Sequence, residues 1–159
     1  MIARELLLEP LAYMPPARAL DGLSAENAGR RLSADGHSIA EIVAHMTFWQ
    51  GWFLRRCLSS PDPMPRTAAD GWPAVAEGSW ADIHKAFLNG LYQIAALGDR
   101  SDRLDNAIAP AIEFPPLAEY TVRDALTHVA NHNAHHLGQI ITIRQLTGAW
   151  PPPSGSYTW

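Results

Sequence analysis

Apolar residues recur at three- and four-residue spacing along several long stretches of this chain, the period of amphipathic helices rather than strands. The first stretch runs from about Ile2 to Leu20, with Leu6, Leu7, Leu11 and Met14 on one face. Pro15 and Pro16 fall inside it. A proline in a helix interior removes a hydrogen bond and clashes with the preceding turn, so a kink or a restart is expected there. Ser24 is placed to cap a short helix reaching Arg31, and Asp35-Gly36 reads as a turn. Ser38-Ile39-Ala40-Glu41 has the form of a capping box, so a second main helix starts at Ser38. It carries Ile42, Met46, Trp49 and Phe53 at helical spacing and ends near Leu58. Residues 59–78, rich in Pro, Gly and Ala, show no period. So long an irregular segment inside a domain is expected to be a crossover or the cover of a site.

Ser79 with Asp82 opens a third main helix, carrying Ile83, Phe87, Leu91 and Ile94 to about Leu97, where Gly98 stops it. Residues 99–120 are irregular, with Pro110, Pro115 and Pro116 as breakers. Thr121 with Asp124 caps the last main helix, which Gly148 ends; the tail that follows has a proline run. There is no internal repeat and no strand pattern. The pattern predicts an all-α chain: one domain, residues 1–159, built as an antiparallel four-helix bundle with a long crossover between its second and third main helices.

Composition narrows the class. The chain has 159 residues, 47% of them hydrophobic, which suffices for a sizeable core. Net charge is −4, and the basic residues are scattered rather than striped, which argues against nucleic acid as a partner. Cys57 is the lone cysteine, so no internal disulfide can form, as fits a reducing cytoplasm. The N-terminal stretch lacks the form of a secretory signal, and no apolar run is long enough to span a bilayer. A soluble intracellular protein is expected.

Candidate chemistry lies in "HVANHNAHHLGQI", residues 128–140, which holds four of the seven histidines. On a helical wheel, Ala125, Val129, Ile140, Ile143 and Thr147 define the inward stripe. His136 falls near its centre and His132 roughly 50° away, whereas His128 and His135 lie roughly 90° or more from it. His132 and His136 are one turn apart, a spacing that lets two imidazoles converge on one ion. His45, flanking the stripe of Ile42, Met46 and Trp49, is the remaining inward-leaning histidine. Three neutral imidazoles around an open position suit a catalytic metal rather than a closed structural site.

His45 on the second main helix, followed by "NHNAHHLGQI" with His132, His136 and Gly138-Gln139 on the last, resembles the DinB/YfiT-like proteins, which are metal-binding four-helix bundles. The resemblance extends over nearly the whole chain, including the crossover, Tyr120-Thr121-Val122 and the Pro-rich tail. It implies the metal ligands His45, His132 and His136. It departs at Leu137, where the family often has Arg. It further implies thiol-dependent S-transfer or hydrolysis on a small-molecule substrate, a divalent ion (zinc first, nickel next), a low-molecular-weight thiol, and a homodimer.

Other residues receive plainer readings. His128 is a neighbour of the site and the substitute ligand; His135 is surface or dimer-facing; His37 and His84 are ordinary polar residues. Glu41 is explained by its cap. Asn131, Asn133 and Gln139 are candidate site contacts. Gly138, costly inside a helix, implies close packing. Trp49 and Trp52 are core, with Trp49 also placed to wall the site. Trp150 and Trp159 are placed to cover the bundle end or a neighbour. Cys57 lacks an activating neighbour, and no general base stands out. The glutamate set of a di-iron bundle and the His-Glu-x-x-His of a zincin are absent. The alternative to an enzyme is a non-catalytic dimeric bundle that binds a metal or small ligand.

Overall fold

The computed structural model describes residues 3–9, 13–60, 62–108 and 114–156. Six helices account for its regular structure: α1 (Ala3–Leu8), α2 (Pro16–Ala19), α3 (Ala25–Gly29), α4 (Ile39–Cys57), α5 (Trp80–Leu97) and α6 (Val122–Leu146). The described residues contain no strand, only an isolated bridge between Ala107 and Thr121. None of these helices is long and apolar enough to cross a membrane.

Two of the three long helices begin where local chemistry dictates. Ser38 and Thr121 each accept a hydrogen bond from the backbone three residues on, and Glu41 and Asp124 return it. Two of the donors that a helix start leaves without partners are thereby satisfied at each. α5 differs from expectation. Ser79 makes no cap; its hydroxyl donates to the carbonyl of Ala76 instead. Gly98 ends α5 in right-handed geometry, whereas Gly148, at φ 75°, closes α6 in the left-handed region that favours glycine.

The expected first helix is two short ones. α2 restarts at Pro16, whose missing N–H costs nothing at a helix start. Leu11 and Pro110 lie outside the described residues. α4 packs on α5 and α6, α1 touches α5 and α6, and α3 lies against α4. Met46, Trp52 and Phe53 of α4, Phe87, Leu91 and Ile94 of α5, and Leu126, Val129, Leu137 and Ile140 of α6 are buried in one apolar cluster. Arg144 is buried at one end, donating to the carbonyls of Ala19, Asp21 and Ala149, while its guanidinium lies over the Trp150 ring. It ties α2 and the tail to α6. Trp159 lies outside the described residues.

Candidate metal centre

Facing positions on α4 and α6 bring His45, His132 and His136 together. One ring nitrogen from each lies within 4.8 Å of the other two. His45 and His136 are 7% and 6% exposed, and His132 is half-buried. The Nε2 atoms of His45 and His132 are 3.1 Å apart. Two ligands of one tetrahedral zinc, at bonds of about 2.0–2.1 Å, stand about 3.3 Å apart.

The outer nitrogens of two of the rings are held. Nδ1 of His45 donates to the carbonyl of Gly71 at 2.6 Å. A carbonyl only accepts, so the proton sits on Nδ1 and Nε2 presents its lone pair to the cluster. His136 Nδ1 lies 2.7 Å from Oε1 of Gln139, and Nε2 of Gln139 lies 3.2 Å from Nε2 of His135. With the amide in this orientation, His136 also turns a bare Nε2 inward. A ligating histidine is ordinarily oriented through its other ring N–H in this way.

Electrostatics keep these rings uncharged. Burial, and then the neighbouring imidazoles, push His132 down to about 3. Burial pushes His136 down to about 4, against the opposing hydrogen bond from Gln139. Burial also lowers His45, against the bond to Gly71. Neutral imidazole is the form that binds a metal. The donor set fits a divalent ion with room for a further ligand.

The crossover covers the site, and the sequence concealed how. Residues 68–71 form a short 3-10 turn that delivers the Gly71 carbonyl. A Cβ on Gly71 would stand 3.0 Å from the Trp49 indole nitrogen, so any larger residue here would require the indole to give by a few tenths of an ångström. Trp72 lies flat between His37 and His45, at ring-centre distances of 3.8 and 3.9 Å. His37, read from sequence as an ordinary polar residue, is the outer leaf of that stack. The one sequence signal was the length of the irregular segment.

The remaining candidates separate. Trp49 meets His45 edge-on at 6.5 Å, and Trp52 is core, its indole N–H donating to Pro63. His128 is outside the triad; it packs on Phe53 and lies 3.2 Å from the Tyr120 hydroxyl. His135 is exposed, and His84 stacks on Trp80. Asn133 is buried with no partner for its amide among the described residues, and Asn131 is exposed. Gly138 overturns an expectation: a Cβ there would meet nothing within 4 Å, so close packing does not explain it. Burial raises the Cys57 thiol to about 12, which removes it as a nucleophile. A cleft of about 450 Å³ runs along α3 and the start of α5 and is lined by none of the three histidines. A cleft of about 430 Å³ does include His132.

A helical protein with three neutral imidazoles converging from two helices, two of them oriented by outer hydrogen bonds, belongs to the class of candidate mononuclear metal proteins. Comparison with known families is more specific: residues 16–149 match the family described as Mycothiol-S-transferase. The chain belongs to that family, in keeping with its DinB/YfiT-like resemblance. No curated protein and no solved structure matches it.

Proposed function

We propose that this chain is a metal-dependent thiol S-transferase, a single domain with His45, His132 and His136 as the metal ligands. The observation that carries the reading is the convergence of three uncharged ring nitrogens, two with their outer N–H groups already engaged. Family membership supports a thiol, mycothiol by the family's description, as co-substrate. A bound divalent ion, zinc first and nickel next, supplies the Lewis acidity that keeps a coordinated thiol deprotonated near neutral pH. The chain's own residues do the rest. His45, His132 and His136 hold the ion, and Gly71 and Gln139 aim two of the rings. Trp72, with Trp49, walls His45 off from water. In the reaction the thiol gives its proton to solvent, and its sulfur forms a bond to an electrophilic carbon, whose leaving group departs with the bonding pair.

The same reading takes the architecture as an antiparallel four-helix bundle. His45 lies beside His136 and Phe53 beside His128, which is the pairing of helices running in opposite directions. A cytoplasmic homodimer belongs to it too, checked by light scattering on the purified protein.

The test is elemental analysis of protein purified without a metal-affinity tag, beside His132→Ala and His136→Ala. Near one equivalent of metal in the wild type, lost in both variants, with mycothiol-dependent conjugation that a chelator abolishes, is the expected result. A protein that takes up neither zinc nor nickel overturns the reading. A chelator that lowers the melting temperature steeply, with no conjugation across a broad set of electrophiles, favours a purely structural metal.

A further inference from the structure

The face of α6 next to the triad carries a second feature. Tyr120, Asp124, Thr127, His128, Asn131 and His132 line the open cleft of about 430 Å³. The five residues from Asp124 to His132 recur three and four apart, so they share one side of the helix. Tyr120, just ahead of the helix, lies against it with its hydroxyl 3.2 Å from Nδ1 of His128.

The chemistry of this lining is selective. Every side chain in it carries a hydrogen-bonding group, and none is Lys or Arg. The adjacent cation, Arg123, is engaged by Asp105 at 2.8 Å. Asp124, ionised and held below its ordinary range by Thr121, is the one formal charge. Away from the candidate metal at its His132 end, the cleft would offer an anionic ligand a carboxylate and no cation to answer it. Tyr120 already faces His128 Nδ1 and the Thr127 hydroxyl donates to the Arg123 carbonyl, but an apolar ligand would still cover the exposed Asn131 amide and answer none of the acceptor capacity left on this face. An uncharged ligand rich in hydroxyl groups satisfies both constraints, and the volume suits a body of small-ligand size. His132 belongs to both the cleft and the triad, so a ligand lying here has one end at the candidate metal centre.

We propose that this cleft binds the hydroxyl-bearing, uncharged body of the thiol co-substrate, with its sulfur end at His132. The assignment rests on the thiol-transferase reading above. It leaves the electrophile to approach the sulfur from outside the cleft. Asn131 and Thr127 are both exposed and outside the core, so they report on recognition rather than on folding.

The probe is mycothiol methylated on sulfur, which cannot form a thiolate, titrated calorimetrically into the metal-loaded full chain. Wild type is expected to bind it, and Asn131→Leu and Thr127→Val each to bind it about fivefold to tenfold more weakly. S-methylglutathione, which carries net negative charge, is expected to bind at least about tenfold more weakly than the methylated mycothiol. Metal content and melting temperature of each variant establish that it remains folded and loaded. Absence of binding to wild type, equal affinity in the variants, or preference for the anionic probe overturns the assignment. Binding that behaves as expected, in a protein that fails to conjugate unmodified mycothiol, upholds the cleft while sinking the transferase reading.

Discussion

His45 donates from Nδ1 to the carbonyl of Gly71 at 2.6 Å, across 26 positions of sequence. A backbone group on an irregular segment thus sets the tautomer of a buried side chain on a helix. Gly71→Val is the direct probe. The added side chain presses on the Trp49 indole, and relieving that contact is expected to move the Gly71 carbonyl. Metal affinity is expected to fall about 10- to 100-fold, the usual cost of losing a ligand's outer partner. Competition against a chromophoric chelator measures it, and an unchanged affinity would show that this carbonyl does not orient His45.

Gln139 bridges His136 and His135. Gln139→Leu removes the acceptor that fixes His136 while keeping helix propensity and approximate size. We expect metal affinity about 10- to 100-fold lower, with little change in the melting temperature of the metal-free protein. His135→Ala, one step further out, should cost less than Gln139→Leu. The reverse order would count against a chain of contacts running inward from the surface.

Acid should destabilise the metal-free protein. Folded His132 and His136 accept protons only near about 3 and about 4, whereas unfolded imidazoles do so near 6.5. Between those limits the unfolded chain binds more protons, so stability falls as pH drops. His45 and His128, lowered chiefly by burial, act in the same direction. Melting temperatures in chelator at about pH 7.5 and about pH 5 test this, with the lower value expected in acid. A His132→Leu/His136→Leu double variant should flatten the slope. An equal slope would place the acid sensitivity elsewhere.

Arg144 is 1% exposed and donates to three backbone carbonyls. Arg144→Met keeps the aliphatic bulk but leaves those carbonyls unanswered. The expected loss is on the order of 3 kcal/mol in urea unfolding. A change below about 0.5 kcal/mol would mean that water replaces the guanidinium at no cost.

What the sequence disclosed and what it hid follow the range of the interactions. Ser38 with Glu41 and Thr121 with Asp124 act across one turn, so the starts of α4 and α6 were legible. The wheel separated His132 and His136 from His128 and His135 because one helix face is a local property. Gly71 and Trp72 drew no reading, and His37 only that of an ordinary polar residue, because each acts through a contact remote in sequence, from segments without a period. The restart at Pro16 was legible because a proline pair acts locally, although apolar spacing continues on both sides of it. Gly138 misled because helix propensity records a cost without naming what offsets it.

Cys57 carries a consequence for a protein assigned to handle thiols. Its own thiol, shifted to about 12 by burial, has almost no thiolate at neutral pH. Thiolate is the species that attacks a disulfide or is oxidised by peroxide. Cys57 is therefore expected to stay uncapped in a pool of mixed reduced and oxidised thiols, so the one cysteine of the chain would keep no record of that pool.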